Sequence, residues 1–296
     1  MIVFLAFALW RPTEAHLDLG ENSLLVAASA LGAVLAVKRG HCWLAGLLLV
    51  IAASKPQLIF LLGPGLTLWS WRRHRSVGLP IGFVASGATA SLACFALAPA
   101  WVADLLAPRP PPFDYWGITI GTRTLLAAPY GPTPLSEALY LVILALGSGA
   151  VLVLWARSSR PLGDLAGPTL AATLLLTPYA QLHDYVLLAF PLILLATQIG
   201  RTPAPGRWLR VASLVIGSWA LVAANLWVHE WIEQEPVWEW LETRIGAAQV
   251  EYLWSRSEYE WRFIAMLVPL ASIVFLSWDR WLPAPTSLSA ESEAPS

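Results

Sequence analysis

The 296-residue chain is 57% hydrophobic and only 12% charged, with mean hydropathy +0.62, whereas soluble domains carry about 25% charge. This composition excludes an ordinary soluble enzyme, and a formal net charge of -1 without an extended Lys/Arg tract excludes nucleic acid as a partner. Two cysteines, Cys42 and Cys94, have neither the number for a disulfide framework nor metal-ligand spacing.

In chain order, residues 1–10 are apolar but supply about half of the roughly 20 residues a membrane helix needs. They lack the basic region and cleavage site of a signal peptide. They read as the end of a helix that starts upstream, so the chain is expected to lack an N-terminal part. The polar loop RPTEAHLDLGEN follows, carrying Asp18 and Glu21, and then an apolar run over 23–37 closed by Lys38, Arg39 and His41. Within the long apolar stretch 43–71, Lys55-Pro56 falls in the middle. Proline removes a helix hydrogen bond and a lysine at membrane depth is costly. The stretch therefore predicts two short helices, 43–53 and 57–71, with Lys55 at their turn. The first spans only about 16 Å, which places that turn below the lipid surface, inside protein or a wet cavity.

Residues 77–97 read as the next span. A long proline-rich loop over 98–134 carries Arg109 and Arg123 and reads as lying on the membrane surface. Residues 135–155 form a span. Two short helices, 165–177 and 186–199, flank TPYAQLHDY, in which His183 and Asp184 sit side by side. Charge at membrane depth costs roughly 2.5–3.5 kcal/mol per residue on insertion scales, so this Asp demands a partner or a task. Spans over 211–228 and 261–278 are separated by a loop crowded with Glu and Trp, and residues 282–296 read as a disordered cytoplasmic tail. The whole is expected to be an all-α, multi-pass transmembrane bundle over residues 1–281, with about nine membrane helices plus a partial first one.

The positive-inside rule orients it. With the basic groups at 38–39, 72–75, 157–160, 201–210 and 280 cytoplasmic, every span alternates without conflict. Eleven of the eighteen Lys/Arg then lie inside and fifteen of the nineteen Asp/Glu outside. The loops carrying Asp18, Lys55, Arg123 and His183-Asp184 meet on the extracytoplasmic face. His183 and Asp184 suit acid-base work or a network to sugar hydroxyls; the plainer reading is solvated loop, with Asp184 capping a helix that starts near Tyr185. Lys55 suits a lipid phosphate held as a point charge, or a lysine that snorkels to the interface. Arg123 is a further phosphate candidate. Asp18 and Glu21 suit a carboxylate base, against an ordinary turn in which Glu21 or Asn22 caps the next helix. The Trp-rich segment 227–244 reads as interfacial anchoring ahead of sugar stacking. No Walker A loop, GxSxG elbow or HExxH pattern is present.

The pieces LGENSLL, WLAGLLLVIAASKPQLIFLLGPGL followed by WRRHR, and TPYAQLHDYVLLAFPLILLA stand in an order and spacing that resembles glycosyltransferase family 87 over roughly residues 17–196. That family is similar to the polyprenol-phosphate-mannose-dependent mannosyltransferases of the GT-C superfamily. The resemblance implies a GT-C-like membrane enzyme that takes a sugar, typically mannose, from a polyprenyl-phosphate carrier on the extracytoplasmic side and passes it with inversion to a lipid or glycan acceptor. An acidic residue would act as base and cationic groups would stabilise the departing lipid phosphate. Lys55 matches the family's Lys-Pro position, and His183, Asp184 and Tyr185 match its His-Asp-Tyr. The resemblance also places the essential Asp of GT-C enzymes in the first extracytoplasmic loop, upstream of this chain's start, so Asp18 is a substitute in a later loop and the chain reads as a truncated or inactive member. The expected site comprises Asp184, His183 and Asp18 as catalytic residues and Lys55, Arg123 and Tyr185 as substrate-binding ones. No metal site or cofactor is expected beyond the lipid-linked sugar donor. The partners are membrane lipids, that donor and the acceptor, and the location is the cell membrane. The rival is a carrier or flippase for lipid-linked sugars, in which the same residues bind without chemistry.

Overall fold

The computed structural model describes residues 22–100, 121–127, 133–188 and 234–251, with single positions at 103, 191, 231, 267 and 270. The segment 1–10, Asp18 and its loop, Arg109, most of 186–199, the expected spans 211–228 and 261–278 and the 282–296 tail lie outside the described residues, as do the side chains of Leu182 and His183. All secondary structure among the described residues is helical.

Helix α1, Ser23–Lys38, ends on Lys38, whose charge suits the negative end of the helix dipole. Asn22 precedes it without making a side-chain cap bond; its amide donates to Ser54 Oγ at 3.0 Å instead. Helix α2, Cys42–Ala52, has eleven residues and stops at the expected turn. A 3-10 turn, Pro56–Leu58, follows, with proline at its start, where a missing N–H costs little. The second arm of the hairpin, expected from residue 57, begins later as α3, Leu62–His74. Ile59, at φ -125, breaks the helical backbone between the two.

Helices α4, Gly78–Leu97, and α6, Pro134–Arg157, are 20 and 24 residues long with mean hydropathy 1.6 and 2.3, enough to cross a membrane. Most of their surface faces outward, with Val84, Leu92 and Leu146 about two-thirds exposed. Such faces suit a hydrocarbon environment. Helix α6 begins at a reciprocal cap: Thr133 Oγ1 accepts from Ser136 N at 3.1 Å, and Thr133 N donates to Ser136 Oγ at 2.9 Å. The short helix α5, Thr122–Ala127, lies within the proline-rich loop. Helix α7, Leu162–Leu176, tolerates Pro168 and is buried along most of its length. A 3-10 helix, Leu182–Leu188, follows. The loop expected between the last spans contains a helix, α8, Glu235–Ile245, with proline in its first turn and Gly246 at φ 87 after its last.

Packing is closest where glycines let backbones meet. A Cβ on Gly46 of α2 would lie 2.4 Å from Leu79 O, and one on Gly82 of α4 would lie 2.4 Å from Trp43 O, so α2 and α4 touch through main chain. Trp155 of α6 is fully buried, donates to Thr169 Oγ1 at 2.8 Å, and stacks where a Cβ on Gly65 would lie 2.6 Å from its ring.

The helix directions sort polar side chains to two ends. Ser23, the 53–55 turn, Thr133, Leu176 and the 3-10 helix occupy one end, tied by Lys55 to Ser23 and by Tyr140 Oη to Leu176 O at 2.7 Å. Lys38, Arg72, His74, Arg157 and Arg160 occupy the other, tied by His74 Nε2 to Val37 O and by Arg72 to Trp155 O and Ser158 O, each at 3.0 Å. Helix α6 separates them by about 36 Å.

Candidate active site

At the first end, three elements converge on Asp184. Asp184 is 1% exposed as a residue and is the one buried acid among the described residues. Lys55 Nζ lies 3.0 Å from Asp184 Oδ1, Ser23 Oγ donates to the same oxygen at 2.8 Å, and Lys55 Nζ donates to Ser23 Oγ at 2.9 Å. The result is a closed triangle of ammonium, hydroxyl and carboxylate, drawn from the hairpin turn, the first residue of α1 and the 3-10 helix. Removing a carboxylate from water is expensive unless it is paired and hydrogen-bonded, and here both conditions are met. The Lys55 side chain keeps 13% exposure against 2% for Asp184, so an arriving solute meets the cation first.

Two expectations for Asp184 are corrected. It does not lie in solvated loop, because the α1 to 3-10 helix packing closes over it. It also does not cap a helix starting near Tyr185: the turn begins at Leu182, and Asp184 Oδ2 instead accepts from Gln181 N, three residues back, at 3.0 Å. This is the N3 half of a capping box. Cap and ion pair use different oxygens of one carboxylate. Lys55, likewise, does not snorkel outward but turns into the protein.

Four buried polar atoms lack a hydrogen-bond partner among the described residues: Ser148 Oγ along α6 and, on elements at the end that holds Asp184, Asn22 Oδ1, Thr177 Oγ1 and Tyr185 Oη. Burial, with the neighbouring Asp184 charge, holds the Tyr185 phenol protonated well above the usual tyrosine range. Buried polar groups are normally paired, so orphans on Thr177 and Tyr185, which flank Asp184 in sequence, and on Asn22, next to Ser23, mark where a polar ligand would be satisfied.

Arg123 sits at the same end on α5. Its guanidinium grips Glu137 of α6, with Nη2 to Oε1 at 2.9 Å and Nε to both carboxylate oxygens at 3.1 Å, and it stands 5.4 Å from the Tyr179 ring centre. Burial alone would lower its pKa, but contacts to Glu137 and Tyr179 outweigh this and raise it. Thr122 Oγ1 donates to Leu175 O at 2.7 Å and docks α5 onto the end of α7. Of the expected site residues, the structure thus joins Lys55 to Asp184, sets Tyr185 beside them, and places Arg123 at the same end in a cluster of its own. Asp18 and the His183 side chain lie outside the described residues. Ser23 was not singled out by sequence reasoning; its only signal was its place in LGENSLL, where a serine at a helix start reads as a cap.

A helical membrane bundle whose described residues hold one buried acid-base pair, at the end away from Arg72, Arg157 and Arg160, is the class that fold and site define. The chain belongs to glycosyltransferase family 87, whose profile matches residues 1–178, and is thereby a membrane glycosyltransferase by family. Ser23, Lys55 and Arg123 lie within the match and Asp184 just beyond it. No curated protein and no solved structure matches the chain.

Proposed function

We propose that the chain transfers a sugar, mannose first among the candidates, from a polyprenyl-phosphate carrier to a lipid or glycan acceptor on the extracytoplasmic side, and that the reaction centres on Lys55 and Asp184. The observation that carries this reading is the Lys55–Asp184 pair, 3.0 Å apart and shut inside a membrane bundle, in a chain whose family is a glycosyltransferase one. Inverting transfer needs a group to accept the acceptor hydroxyl's proton and a cation to stabilise the departing phosphate. Asp184 and Lys55 are one of each, in contact.

In this reading the donor's phosphate approaches the more exposed Lys55, which moves part of its charge-assisted bonding from Asp184 to a phosphate oxygen. Asp184, still held by Ser23 and by Gln181 N, binds and orients a hydroxyl of sugar or acceptor. Tyr185, Thr177 and Asn22 supply the remaining polar contacts, and His183 joins the hydroxyl network. Arg123 binds through the Glu137 and Tyr179 cluster at the rim. Asp18 serves as a base candidate from the preceding loop.

The test is transfer of radiolabelled mannose from polyprenyl-phosphate-mannose to a lipid acceptor in proteoliposomes, with movement of the intact carrier across the bilayer followed in parallel. Labelled product that disappears on Lys55→Ala supports the reading. Carrier movement without product would replace it with a flippase that uses the same pair for binding.

A further inference from the structure

At the far end of the bundle, a second polar site faces away from Asp184. A cavity of about 490 Å³ opens there between the end of α3 and the turn joining α6 to α7, lined by Trp69, Arg72, Arg73, Ser158, Ser159 and Arg160. Its size falls within the range of small-molecule sites. Three of the lining residues are arginines and none is a carboxylate; the nearby acid, Asp164, sits in the first turn of α7, where it complements the helix dipole.

The arginines have different tasks. Arg72 Nη1 donates to Trp155 O and Ser158 O, each at 3.0 Å, so its charge offsets the negative end of α6 and fixes the turn. Within that turn Arg160 N donates to Ser158 Oγ at 3.1 Å, and Arg160 lines the same cavity as Arg73. Among the described residues neither Arg73 nor Arg160 forms an ion pair with an acid, and two guanidinium forks beside serine hydroxyls match the oxygens of a phosphate. Trp69, partly buried on the same wall and in edge contact with His74 at 5.4 Å, sets the cavity at interface depth, where tryptophan resides. Basic pockets between membrane helices take lipid head groups.

We infer that this cavity is a phosphate-binding site, separate from the Lys55–Asp184 site, that takes the phosphate of an anionic phospholipid or free phosphate on the opposite face of the membrane. The test uses the full chain in detergent, titrated separately with phosphatidylglycerol, phosphatidylcholine and inorganic phosphate, with bound adducts counted by native mass spectrometry. Arg73→Ala with Arg160→Ala is compared with Arg75→Ala with Arg157→Ala, which removes equal charge from the same end outside the cavity. Arg73→Lys with Arg160→Lys guards against a folding defect. Wild type is expected to retain phosphatidylglycerol over phosphatidylcholine, the cavity variant to lose affinity about tenfold or more, and the outside variant to keep it. The Lys pair should recover most of the binding. Saturation by inorganic phosphate that blocks phosphatidylglycerol would identify a free-phosphate source for the same site. Equal loss in both double variants, or no preference for either phosphate ligand over phosphatidylcholine, would overturn the inference.

Discussion

Asp184 accepts from donors on both oxygens: Lys55 and Ser23 on one, Gln181 N on the other. Removing one partner of such a pair leaves a buried charge and costs about 3–5 kcal/mol, whereas replacing both by apolar groups of similar size can be close to neutral. Lys55→Ala is therefore expected to lower unfolding stability in mixed detergent by about 3 kcal/mol. The double change Lys55→Met with Asp184→Leu should regain most of that loss while remaining inactive. Additive destabilisation in the double variant would show that the two side chains do not act as a pair. Arg123 differs because it and Glu137 keep 22% and 33% exposure: Arg123→Ala should cost less than about 1 kcal/mol in a denaturation series, so a rise in donor KM beyond that effect would assign it to binding. The value of both Lys55 and Asp184 could be read from sequence, because a charge between apolar runs stands out locally. Their pairing could not, since 129 positions separate them and the hydrogen bond is tertiary. Ser23 stayed hidden because one hydroxyl at a helix start has a common local use.

The elements follow their sequence signals where those are strong. Pro56 and Lys55 end α2 where expected, and the long apolar runs give α4 and α6 within one or two residues of the expected ends. The departures are local as well: Ile59 leaves helical backbone, delaying α3, and the segment from Glu235 folds as α8 because its early proline and trailing Gly246 outweigh a composition that reads as loop. Trp238 Nε1 donates to Glu242 at 2.7 Å one turn along, and Arg244 stands 5.9 Å from the Trp240 ring centre, so its Trp and Glu stabilise one another along the helix. Glycine placement, by contrast, has meaning only in three dimensions. Gly82→Ala would set a Cβ 2.4 Å from Trp43 O and Gly65→Ala one 2.6 Å from the Trp155 ring; each should cost about 1–3 kcal/mol. Gly63→Ala, with nothing within 4 Å of the new carbon, should be neutral or stabilising by up to about 1 kcal/mol. Thermal melts of the three variants decide this, and a neutral Gly82→Ala would contradict the backbone contact between α2 and α4.

Among the described residues, the two ends differ in chemistry: a buried carboxylate with orphaned polar atoms at one, and the cluster of Arg72, Arg73, Arg157 and Arg160 at the other. Sequence sidedness, read from charge alone, anticipated this sorting, and the hydrogen bonds of Lys55, Arg72 and His74 realise it for the described helices. The number of spans beyond them rests on segments outside the described residues. In a cysteine-free background, Ser159→Cys and Thr133→Cys should react with an impermeant maleimide from opposite sides of sealed vesicles. Labelling of both from one side would mean that α6 does not cross the bilayer.

The most direct measurement is the rate of sugar transfer from polyprenyl-phosphate-mannose by wild type and by Asp184→Asn, with the unfolding midpoint of each recorded alongside. Asparagine keeps the shape and the bond to Gln181 N but removes the charge that faces Lys55 and the group that can take up a proton. A turnover loss of about 100-fold or more in a protein that still folds is the predicted result. Transfer at the wild-type rate by folded Asp184→Asn would contradict the placement of the reaction at this pair.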